Sequence, residues 1–157
     1  MRTMFTTTAL ALLVASTGAA QSAQQTVTYE VQAVNQIAVS GNVTLTVNSA
    51  TAGQAPSANS AASSYAITTN ESNKKITAGL NTNMPAGLTL QLTLGAPSGA
   101  TSTGALTLTT TAQDAVTGIS TLNASGLSIS YTLTATSAAG VVAQASKTVT
   151  FTIVTGP

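Results

Sequence analysis

Thr26-Val27-Thr28-Tyr29-Glu30-Val31-Gln32-Ala33-Val34-Asn35-Gln36-Ile37-Ala38-Val39-Ser40 decides how this chain is read. Val27, Tyr29, Val31 and Ala33 fall on alternate positions, and Ile37 and Val39 continue the register, with only Asn35 interrupting. A period of two sends alternate side chains to opposite faces of an extended strand, whereas a helix needs apolar residues three and four apart. Thr28, Glu30 and Gln32 fill the intervening positions. The stretch therefore has one face for a core and one for water.

The same period recurs on either side of later turns. Val43, Leu45 and Val47 follow Gly41-Asn42. Tyr65 and Ile67 are expected to pair with Ile76, Ala78 and Leu80 across the polar corner Asn70-Glu71-Ser72-Asn73. Leu88 to Leu94, Leu106 with Leu108, Leu127 to Leu133 and Val149 to Ile153 alternate in the same way. Thr fills most outward positions, as suits a β-branched residue on a pleated surface. Eight or nine strands punctuated by Gly, Asn, Ser and Pro predict an all-β protein. The expected architecture is a single immunoglobulin-like antiparallel β-sandwich over residues 21–157. Residues 48–63 and 95–104 lack apolar periodicity and read as surface loops. Asp114 to Thr121 is the one place where a helical turn is expected.

Met1-Arg2-Thr3 carries a positive charge, Ala9 to Ala15 is apolar, and Gly18, Ala19 and Ala20 are small. That layout is a secretory signal peptide over residues 1–20, with cleavage between Ala20 and Gln21. The apolar run is too short to span a bilayer, which takes about twenty residues. No membrane span is expected in the mature chain, and its location is read as secreted, extracellular or at the cell surface. The sequence has no Cys, so neither disulfides nor a lipidated cysteine contribute.

A chain rich in Ser and Thr with modest apolar content borders on the composition of disordered segments. Ordered alternation and the absence of net charge after residue 20 decide for a fold, because nothing expands the chain by self-repulsion.

Catalysis has little to draw on. There is no His, Cys or Trp, and beyond residue 20 the charged residues are Glu30, Glu71, Asp114, Lys74, Lys75 and Lys147. A Ser or Thr nucleophile needs a base in reach, and a glycosidase needs two facing carboxylates. Zinc and calcium need ligand clusters that three scattered acids do not supply. The reading is no enzyme, no cofactor and no metal. Nucleic acid is excluded as a partner because a neutral chain offers no basic footprint. The N-x-S/T sequons at Asn42, Asn70 and Asn123 are about as many as so much Ser, Thr and Asn gives by chance. The aromatics Tyr29, Tyr65, Tyr131 and Phe151 share register with aliphatic neighbours and are expected in the core, which leaves no sugar-stacking platform.

Only 4% of the residues are charged, against about a quarter in most soluble domains. Sheets usually guard their edges with charge. A surface of Thr, Ser, Asn, Gln and Ala desolvates cheaply and suits packing against copies of the same chain. Residues 21–34, with Val27, Tyr29, Val31 and Ala33, have two readings. They begin the first long strand of the chain's own sandwich, or, hinged at Asn35-Gln36, they leave it and complete a neighbour's sheet.

At this point the chain resembles the exported β-sandwich subunits of bacterial and archaeal surface fibres, some of which polymerise by donor strands. The resemblance rests on the signal, the Thr-rich alternation and the first segment, and it lacks the Cys pair common in chaperone-assembled pilins. It implies an exported structural subunit of a fibre, surface layer or matrix whose partners are copies of itself or other surface proteins. The alternative is a secreted adhesin or glycan-binding module.

Overall fold

The computed structural model describes Gly18 and residues 20–156. The expected signal peptide lies almost wholly outside the described residues. Contacts divide the chain after Val31 into two units, and the architecture that follows is that of the unit from Gln32 onward.

It is all-β, with two antiparallel sheets and, among the described residues, no α-helix. The strands are β1 (Asn35–Val39), β2 (Asn59–Thr69), β3 (Lys74–Leu80), β4 (Leu88–Leu94), β5 (Thr101–Ser102), β6 (Leu106–Thr107), β7 (Gln113–Ile119), β8 (Leu122–Ala135) and β9 (Val149–Thr155). The larger sheet runs β1-β2-β8-β4-β6 and the smaller β5-β7-β3-β9. A single 3-10 turn, Ser137–Ala139, precedes the run into β9.

Alternation produced these strands because one face of each has a core to enter. In β4, Leu90, Leu92 and Leu94 are buried while Thr89, Gln91 and Thr93 are half-buried between them. Tyr65 and Ile67 of β2, Ile76, Ala78 and Leu80 of β3, Val116 and Ile119 of β7, and Ile129 and Tyr131 of β8 complete one cluster drawn from both sheets. Burying such side chains stabilises by roughly 1.5–3 kcal/mol each.

Several expectations need correction. Tyr65 and Ile67 do not pair with Ile76, Ala78 and Leu80: β2 lies between β1 and β8, and β3 between β7 and β9. The corner at residues 70–73 carries the chain from one sheet to the other, with Asn73 at φ 53. Both apolar faces still enter the same core, from opposite sides. Asp114 to Ile119 is strand, not a helical turn, and buries Ala115, Val116 and Ile119. β2 begins at Asn59, within the stretch read as a loop, and β5 lies within residues 95–104. Between Tyr65 and Ile67 the partner in β8 jumps from Leu127 to Ala124. Gly126, at φ 68, sits in that bulge, where its missing Cβ admits a left-handed backbone.

The opening stretch also departs from a single long strand. Only Asn35–Val39 is paired, to residues 65–69 of β2. Asn35 and Gln36 are the first two residues of β1 and not a hinge outside it. Val43, Leu45 and Val47 keep their alternation, half-buried between exposed neighbours, yet form no strand because their backbone has no ladder partner.

Candidate assembly site

Residues 20–31 are extended in sequence pattern but unpaired: no strand and no hydrogen bond involves them among the described residues. Val27 is 73%, Tyr29 89% and Val31 84% exposed, and Ala33 is exposed as well. Tyr29 is thus not a core residue, unlike Tyr65 and Tyr131, which are buried, and Phe151, which is half-buried. Ala20 and Gln21, the expected cleavage pair, are also exposed.

The chain is anchored just after this run. Asn70 Oδ1 accepts from the Val34 amide at 2.7 Å, Asn70 Nδ2 donates to the Gln32 carbonyl at 2.7 Å, and the Asn70 amide donates to the Val34 carbonyl at 3.2 Å. One side chain therefore occupies the backbone groups on both sides of Ala33. Asn35 is fixed next to it: Thr69 Oγ1 donates to Asn35 Oδ1 at 2.7 Å, and Asn35 Nδ2 donates to Glu71 Oε2. Lys74 Nζ lies 3.0 Å from the same carboxylate oxygen. The Asn35 donor first, and then Lys74, hold the Glu71 carboxyl below its usual range.

The unit from Gln32 onward contains a groove of about 1370 Å³. One wall is residues 41–50 and the other residues 142–149. The floor includes Leu88, Leu90, Ile129, Tyr131, Leu133 and Phe151. No backbone–backbone hydrogen bond involves residues 41–48 or 141–147 among the described residues. Two runs of backbone that line the same groove thus lack ladder partners. Both runs are exposed or half-buried, so their backbone groups are open to an added strand.

The charged side chains sort as simply. Lys74 pairs with Glu71, and Lys75 Nζ lies 3.0 Å from both Asp114 oxygens. Glu30 and Lys147 are left without an ion-pair partner among the described residues; Lys147 donates only to Thr82 Oγ1, at 2.6 Å. Glu30 belongs to the exposed segment and Lys147 to a wall of the groove. The sequence shows six scattered charges, and only the fold shows which two remain over.

Among the described residues no three His, Cys, Asp or Glu gather into a metal-binding group, and no helix is long and apolar enough to cross a membrane. No protein-family model matches the chain, and none of the curated proteins matches it significantly.

Proposed function

We infer that the chain is an exported structural protein, a subunit of an extracellular fibre, surface layer or matrix, with an immunoglobulin-like sandwich that assembles by strand addition of residues 21–34. The observation that carries this reading is the exposure of Val27, Tyr29 and Val31, which alternate as a core-facing strand does but cover nothing. Burying each on a neighbouring copy is worth roughly 1.5–3 kcal/mol, and the added ladder removes unpaired backbone on both partners. A contiguous apolar face of this kind is a recurrent mark of an interaction site.

Low surface charge supports the same reading, since little electrostatic repulsion opposes packing of identical subunits. Negative-stain microscopy and size exclusion of the protein lacking residues 1–20 should show polymers, and removing residues 21–34 should leave monomers. A stable monomer that keeps these residues and does not polymerise at any concentration would refute it. The adhesin reading expects that monomer, together with binding on a glycan array.

A further inference from the structure

Resting on that strand-addition reading, the geometry points to the acceptor: residues 26–31 of one copy, the part of the segment before the Asn70 anchor, enter the groove between residues 41–50 and 142–149 of the next, with Glu30 of the incoming strand against Lys147. Length matches first. Six extended residues span about 20 Å at 3.3 Å each, and the parts of the two walls outside any ladder, residues 41–48 and 142–147, comprise eight and six residues. An inserted strand of that length has backbone groups to offer along both walls, where residues 41–48 and 141–147 have none committed to a ladder.

Chemistry matches next. Val27, Tyr29 and Val31 share one face of the strand, and the apolar lining of the groove includes Leu88, Leu90, Ile129, Tyr131, Leu133 and Phe151. Leu88, Leu133 and Phe151 are only half-buried in the isolated chain, so the floor has apolar area still to cover. Thr28 and Glu30 alternate with the apolar set and face away from the floor, toward the rim.

Charge then selects the register. Among the described residues the ion pairs use Glu71, Lys74, Lys75 and Asp114, leaving there one acid on the donor and one base on the acceptor wall. Since a one-residue slip turns a strand over, a Glu30–Lys147 contact fixes the register as well as the partner. The occupant is a second copy because the complementary set of side chains lies within this same sequence, and each chain carries one donor and one acceptor.

Glu30→Cys and Lys147→Cys together, in the otherwise full chain, test this directly, because the sequence has no other Cys. Polymers assembled under reducing conditions and then mildly oxidised should give a ladder of disulfide-linked multimers on a non-reducing gel, absent from either single variant. A disulfide needs Cα atoms about 4.4–6.8 Å apart, so the ladder reports the register and not mere proximity. Charge reversal supplies a second arm: Lys147→Glu should weaken assembly roughly two- to fivefold at low salt, and adding Glu30→Lys should restore it. Polymers visible by microscopy without the ladder or the charge rescue overturn the acceptor while leaving strand addition standing. A disulfide closed within a monomer overturns it too. Failure of the unaltered chain to polymerise removes both.

Discussion

Asn70 shows how much a single side chain at a corner does. It holds the Gln32 carbonyl and the Val34 amide at 2.7 Å each, so the exposed segment leaves the sheet from a fixed point. Asn70→Ala removes two hydrogen bonds and is expected to cost about 1–2 kcal/mol, read as a lowered Tm with the β circular dichroism retained. Glu71 beside it makes stability depend on acid. Its folded carboxyl titrates below the unfolded one, so its contribution is full above the unfolded value of about 4.3 and is lost as pH falls through the folded value. Melting from pH 6 down to pH 2 should show that loss, and Glu71→Gln should remove this part of it; equal acid sensitivity in the variant would count against the account. At the alkaline end, burial pushes the Tyr65 hydroxyl up to about 12, while it donates to the Gly95 carbonyl at 2.6 Å. The unfolded chain ionises first, near pH 10, so stability present below that pH is lost as pH rises toward 12. Tyr65→Phe should flatten the loss in alkaline melts and cost about 1 kcal/mol at neutral pH.

Strand existence was legible wherever alternation met a core: β4, the centre of β8, and β9 all lie where Leu88 to Leu94, Leu127 to Leu133 and Val149 to Ile153 alternate. Partners were not legible, since alternation specifies a face and says nothing about which strand lies alongside. That is why residues 70–73 read as a hairpin and prove to be a crossing between sheets. β7 was hidden by Asp114, Thr117 and Gly118, which interrupt an apolar pattern in which only Ala115, Val116 and Ile119 are buried. Val43, Leu45 and Val47 are the instructive case. Their alternation is that of a strand and sets Val43 and Leu45 against the core, yet the isolated chain gives their backbone no ladder partner. Within the candidate site, Val27, Tyr29, Val31 and Ala33 could be named from alternation alone, but Lys147 and the groove walls needed the fold. Amide hydrogen exchange offers a test at this scale. Residues 41–48 and 141–147 should exchange fast in monomer and become protected in polymer, while β4 and β8 stay protected in both. Protection of both walls in the monomer would mean that their ladders are already satisfied.

For the molecule as a whole, the proposed donor and acceptor are different surfaces of one chain, which would make their contact heterologous. Heterologous contacts build rings when the rotation closes and open filaments when it does not. Each subunit then gains stability from its neighbour by mass action, since a strand that binds only the folded acceptor shifts the unfolding equilibrium. The low charge of the chain fits the proposed arrangement, in which apolar burial and ladder formation would drive assembly and one ion pair would set the register. A synthetic peptide of residues 21–34 therefore has two expected effects. Added to protein lacking that segment, at about 100 times its Kd, it should stabilise by about 2.7 kcal/mol, a rise in Tm on the order of 10 °C for a domain of this size. Added to the intact protein during assembly, it should occupy free acceptors and shorten the filaments in proportion to its concentration. A peptide with Val27→Asp, Tyr29→Asp and Val31→Asp keeps the backbone and loses the apolar face, and should do neither. If both peptides stabilise equally, backbone pairing alone accounts for binding and the alternation of Val27, Tyr29 and Val31 must serve another purpose.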